Sequence, residues 1–173
     1  MRLSLLARLA RNLAGPVVAA LLLAGAAAAP ATAATHDTVI PAGVACAGFD
    51  LGIDFGAPVG GSVGREFRDH DGNVVRTLTA GTGYALTFHN DEAGKSLALP
   101  SNGYASTTRF GPDGLATVAS QGHTVIILFP TDHPAGPSTT LYVGRVVYTV
   151  DGEGTFTLVS TAGAKVDICA ALS

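Results

Sequence analysis

The segment from His123 to Val150 sets the terms for the rest of the chain. It begins His-Thr-Val-Ile-Ile-Leu-Phe-Pro, breaks over Thr131 to Ser138, and resumes Thr-Thr-Leu-Tyr-Val-Gly-Arg-Val-Val-Tyr-Thr-Val. Val125 to Phe129 are five consecutive apolar residues between Gly122 and Pro130. A run that short, rich in β-branched and aromatic side chains, predicts a strand covered on both faces. The second run alternates. Tyr142, Val146, Tyr148 and Val150 share one face with Gly144, and Leu141, Val143, Arg145 and Val147 share the other. Two such strands belong at the centre of an all-β domain.

The remaining chain repeats the same rhythm of short apolar runs and turn residues. Phe49, Leu51, Ile53 and Phe55 alternate with Asp50, Gly52 and Asp54, the pattern of a half-buried strand. Asp71-Gly72 between two extended runs predicts a hairpin. Further turns fall at Asp91 to Gly94, Pro100 to Gly103, Pro112 to Gly114, Gln121-Gly122, Asp151 to Gly154 and Ala162-Gly163. About ten or eleven strands result, the last over Val166 to Ala170, with no capped helical period after residue 34. Short strands and tight turns describe an antiparallel meander. Closing it into an up-and-down β-barrel would remove exposed strand edges. The alternative is a two-sheet sandwich of immunoglobulin type, whose disulfide normally bridges interior strands beside a Trp. The absence of Trp and the terminal placement of both cysteines favour the barrel.

Residues 1–34 read as a secretory signal peptide. Arg2, Arg8 and Arg11 precede an apolar run from Pro16 to Ala29, and Ala31-Thr32-Ala33 supplies a small-residue cleavage pattern, with cleavage after Ala33 or Ala34. Residues 35–173 then form a single domain, long enough to bury a core. Loss of the three leading arginines leaves seven Lys and Arg against thirteen Asp and Glu, a net charge of −6. That balance argues against nucleic acid and anionic membranes as partners. Cys46 and Cys169 make an even pair in a secreted chain, so a disulfide between them is expected, bringing the first and last strands together.

No catalytic constellation is legible. Asp69-His70-Asp71-Gly72-Asn73 has the opening of a calcium loop, but its twelfth position is Ala80, and a hairpin turn accounts for it. Gly60-Gly61-Ser62-Val63-Gly64 matches the letters of a nucleophile elbow without the strand-to-helix context that an elbow needs. His36, His70, His89, His123 and His133 show no close ligand spacing, so neither a metal nor another cofactor is expected. Candidate binding residues remain. Arg145, mid-strand, would hold an anionic group if it faced a barrel lumen, and Tyr142 or Tyr148 would line the lumen if the other face were inside. His123 opens the central strand, and Asp132 and His133 sit in the loop after it.

Four stretches resemble a group of small secreted proteins from high-GC actinobacteria. They are Phe67-x-Asp69-x-Asp71-Gly72-Asn73-Val74-Val75-Arg76, Ile127 to Asp132 with Pro134 to Pro137, Leu141 to Tyr148, and Asp167-Ile168-Cys169-Ala170-Ala171. The resemblance implies secretion and a small β fold, and no activity. The functional expectation is a non-catalytic extracellular module that binds a small molecule or an extracellular surface. The alternatives are an enzyme with a loop-rim site drawn from Arg145, His123, Ser62 and the loop Thr131 to Pro137, or a protease inhibitor presenting that loop.

Overall fold

The computed structural model describes residues 35–58 and 60–173, and the expected signal peptide, 1–34, lies outside the described residues. Ten strands and one short helix follow in order. They are β1 (Thr38–Ile40), β2 (Leu51–Pro58), β3 (Ser62–Arg68), β4 (Val74–Thr82), β5 (Tyr84–Asn90), β6 (Lys95–Leu99), β7 (Gly103–Phe110), β8 (Ala116–Leu128), β9 (Ser138–Val150), β10 (Phe156–Asp167) and α1 (Ile168–Leu172). The domain is all-β, as the run-and-turn rhythm predicts, and its strand pairs are antiparallel. They form a four-stranded sheet in the order β1-β2-β5-β6 and a six-stranded sheet in the order β10-β9-β8-β7-β4-β3.

The closed up-and-down barrel is therefore not formed, and the architecture agrees with the two-sheet alternative. The physical reason lies at two crossings. After β4 the chain leaves the six-stranded sheet through Gly83, makes the β5–β6 hairpin in the other sheet, and returns over Pro100 to Asn102. The crossings are tied to each other. Gly83 N–H donates to the Asn102 carbonyl at 3.1 Å, and the Ser101 hydroxyl donates to the Gly83 carbonyl. A meander interrupted in this way cannot close on itself.

Two expected turns are absent because their glycines lie inside strands. Gly122 sits within β8 and Gly163 within β10. In register, Gly122 pairs with Gly144, and Gly144 with Gly163. Their φ angles are +105°, +139° and +114°, a region that side-chain-bearing residues avoid. Glycine runs through the middle of three neighbouring strands, and the sheet creases there rather than ending.

The crease gives the molecule two apolar groups. Between the sheets, Leu51, Ile53, Phe88, Leu141, Ile168 and Leu172 are buried with Cys46 and Phe49, and Val125, Ile127 and Val143 pack against them. A second group combines Ile126, Leu128 and Val146 with Tyr142, Tyr148, Phe156 and Leu158. The run from Val125 to Leu128 feeds both groups alternately, so this strand is covered on both faces as its composition requires.

The expected disulfide is present, with Cα atoms 5.6 Å apart and a sequence separation of 123. It joins the turn segment before β2 to α1, and not the first and last strands. The predicted last strand, Val166 to Ala170, divides into the end of β10 and α1. Asp167 caps that helix by accepting Ala170 N–H at 3.0 Å, and Ile168 and Leu172, four apart, bury one face.

Candidate functional site

Where the two apolar groups meet, the sheets leave a cleft of about 490 Å³. The four-stranded sheet contributes Phe55 from β2 and Tyr84 and Leu86 from β5, with Leu99 at the end of β6. The six-stranded sheet contributes Tyr104 and Ser106 from β7, Ser120, His123, Thr124 and Val125 from β8, and Leu141 and Tyr148 from β9. Leu86, Leu99, Val125 and Leu141 continue the core between the sheets into the cleft wall. Phe55 and Tyr84 are 50% and 55% exposed and meet edge to face with centroids 6.2 Å apart, so they form an aromatic lip. The walls are mainly hydrocarbon. The polar groups come from Asn102, His123, the tyrosines, and the Ser120 and Thr124 hydroxyls, which hydrogen-bond at 2.8 Å. Burial pushes the Tyr148 phenol up from its ordinary pKa, so it is a neutral donor at physiological pH.

The sequence-predicted binding residues do not converge. His123 lies in the cleft, exposed at its edge. Tyr142 packs within the second apolar group, beside Tyr148, which does reach the cleft. Arg145 is exposed on β9, opposite Gln121 and Ala162, and no ion pair holds it among the described residues. Asp132 is only 3% exposed, and both of its carboxylate oxygens accept backbone N–H groups, from Phe129 at 2.6 Å and Phe156 at 3.0 Å. It therefore pins the loop after β8 to the start of β10. His133 is exposed, but its backbone is engaged. Its N–H donates to the Phe156 carbonyl at 2.8 Å, and its carbonyl accepts Leu158 N–H at 2.7 Å. The polar backbone that an inhibitory loop would offer a protease is already used within the chain at this residue.

No protein-family model, no curated protein and no solved structure matches this chain. The geometry of its own residues is thus the sole guide to its chemistry.

The other two motifs behave as turns and strand ends. Asp69 Oδ1 accepts Asp71 N–H and Asn73 N–H, each at 2.9 Å, and the pair of strands it joins is the β3–β4 hairpin. Ser62 opens β3 with no helix after it.

A second constellation was missed by sequence reasoning. It sits on the solvent-facing side of the four-stranded sheet. The His36 side chain, 6% exposed, places Nδ1 3.0 Å from Asp54 Oδ1 and Nε2 3.2 Å from both Asp91 oxygens. The ring stacks on His89, centroids 4.3 Å apart, and His89 Nε2 lies 3.0 Å from Asp54 Oδ2. Burial alone would lower the His36 pKa, but the hydrogen bonds to Asp54 and Asp91 outweigh it and raise the value. For Asp54, desolvation pulls upward and is overcome by the hydrogen bonds from His36 and from Asp37 N–H, so its carboxyl is held below the ordinary range. The faint signal for this cluster was the outward row Gly52 and Asp54 on β2, whose cross-strand partners on β5 include His89.

Proposed function

We propose that the protein is an extracellular, non-catalytic module that holds a small, largely apolar molecule between its two sheets. The observation that carries this reading is the cleft of about 490 Å³, with hydrocarbon walls, an aromatic lip and a few hydroxyl donors. Ligand sites commonly occupy about 300–1,000 Å³ and combine apolar walls with a small number of placed polar groups. The preferred occupant is a neutral molecule with one end able to hydrogen-bond to Tyr148, Ser120 or Asn102. The disulfide, the Arg-led apolar segment before residue 35 and the resemblance to secreted actinobacterial proteins support an extracellular setting.

Native mass spectrometry of untagged protein recovered from its own host's medium tests the reading. A molecule of a few hundred daltons, released on denaturation, supports it. A bare chain that also fails to bind an environment-sensitive apolar fluorophore at micromolar concentration rules it out.

A further inference from the structure

The cleft leaves the His36 constellation unused, and its geometry asks for a cation. Three potential ligand atoms, one each from His36, Asp54 and His89, lie within 4.8 Å of one another. His36 Nδ1 and His89 Nε2 each stand 3.0 Å from a different oxygen of the one Asp54 carboxylate. A tetrahedral zinc ion with bonds of about 2.0–2.1 Å spaces its ligand atoms by about 3.3 Å. These two nitrogen–oxygen separations are near the edge length of such a coordination sphere, and the cluster as a whole lies within 4.8 Å.

Protons satisfy this arrangement poorly. His89 Nε2 is buried and makes no hydrogen bond, although Asp54 Oδ2 is 3.0 Å away. The oxygen lies off the direction in which a proton on that nitrogen would point, so proximity does not become a bond. An unsatisfied buried ring nitrogen costs free energy unless something else meets it. A cation held jointly by His36, Asp54 and His89 meets that nitrogen and the Asp54 carboxylate together.

Two further features fit a metal centre better than a plain ion pair. Asp91 faces the far nitrogen of His36, Nε2, at 3.2 Å with both oxygens. A carboxylate there accepts Nε2–H, which leaves the Nδ1 lone pair for a metal and fixes the ring's orientation. Gly52 provides the seat. A Cβ on Gly52 would collide with Cδ2 of the His36 ring, so the imidazole lies flat on bare backbone directly across from His89. Asp54 and Asp91 are 40% and 54% exposed, which gives a cation a path from solvent.

We propose that His36, Asp54 and His89 form a binding site for one zinc-like divalent cation, with Asp91 orienting His36. Two imidazoles and a carboxylate suit a borderline cation such as Zn²⁺ rather than Ca²⁺ or Mg²⁺, which prefer all-oxygen sites. The site clips the segment before β1 to β2 and β5. It stands apart from the cleft and does not depend on what the cleft holds.

Isothermal titration of Zn²⁺ into the untagged, chelator-stripped protein gives the first readout. One ion per chain is expected, with micromolar or tighter affinity. His89→Ala and His36→Ala should each weaken binding by about 100-fold or more, and Asp91→Asn by about 10–100-fold, the range for groups that orient a ligand. Gly52→Ala removes no ligand, yet its Cβ would displace the His36 ring and should weaken binding. A parallel measurement on the unaltered protein covers the case in which a variant fails to fold. Zn²⁺ should shift the ring nitrogen resonances of His36 Nδ1 and His89 Nε2 while leaving those of His70, His123 and His133 in place. Absence of a stoichiometric ion overturns the proposal. So does affinity that survives His89→Ala, because the metal would then be held without His89.

Discussion

The hydroxyls of Ser120 and Thr124 hydrogen-bond at 2.8 Å although they lie four residues apart on one strand. Four residues of extended chain span about 13 Å, so two short side chains cannot meet unless the strand folds between them. Gly122 lies midway, at φ +105°. The same crease passes through Gly144 and Gly163, and it turns the far half of the six-stranded sheet inward to make the second apolar group and one wall of the cleft.

Gly144→Ala should be severely destabilising. Its Cβ would strike the Ala162 carbonyl oxygen, a backbone atom that cannot rotate away, at φ +139°. Backbone strain of this kind costs about 1–3 kcal/mol before any clash, so a loss of ~3 kcal/mol or more is expected. Urea unfolding of the variant against the unaltered protein measures it. Gly152→Ala, where an added Cβ meets nothing within 4 Å, is the control and should change stability by less than about 0.5 kcal/mol.

Asp132→Ala should cost ~3 kcal/mol. It would strip the acceptor from two backbone N–H groups, those of Phe129 and Phe156. Hydrogen bonds to a charged acceptor contribute about 1.5–3 kcal/mol each, offset in part by water entering the loop. Chemical unfolding reports the loss. Faster amide exchange at Phe129 and Phe156 locates it.

Filling the cleft should abolish binding without unfolding the domain. Ser106 on β7 lines the cleft and is half-buried, so Ser106→Trp projects an indole into the space a ligand would use. An apolar fluorophore should bind at least tenfold more weakly, while the thermal midpoint moves by only a few degrees. Unchanged affinity would place the fluorophore elsewhere.

Stability should fall in acid through two turns of the same design. Asp69 and Asp151 each accept N–H groups from the residues two and four ahead. Backbone hydrogen bonds, from Asn73 N–H to Asp69 and from Thr155 N–H to Asp151, hold both carboxyls below their ordinary pKa. A depressed folded-state pKa means the contribution is complete above the unfolded value, near 4, and disappears as pH falls through the folded value. Unfolding free energy measured from pH 6 to pH 2 should decline mainly below pH 4. Asp69→Asn combined with Asp151→Asn should flatten that decline.

Local chemistry made much of the fold legible. The apolar run before Pro130 pointed to a strand covered on both faces, which holds for Val125 to Leu128 at the end of the thirteen-residue β8, while Phe129 lies beyond the strand and is exposed. Asp71-Gly72 pointed to the turn of the β3–β4 hairpin. The cleft was not legible, because it depends on which faces of distant strands oppose each other. Tyr84 and Ser120 belong to different sheets, and no periodicity relates them. The His36 cluster escaped for the same reason. Its ligand candidates Asp54 and His89 are 18 and 53 positions from His36 in sequence, far outside any ligand spacing.

By itself, then, the sequence determined an all-β chain of antiparallel strands, several of its hairpin turns and its single disulfide. These follow from side-chain alternation, turn residues and cysteine count, all of which act over a few residues or by elimination. Only the tertiary structure decided between barrel and two sheets, since the choice rests on where β4 and β6 cross over. It also decided whether Gly122 ends a strand or creases one. A glycine permits both, and the register of Gly122, Gly144 and Gly163 across three strands selects the crease.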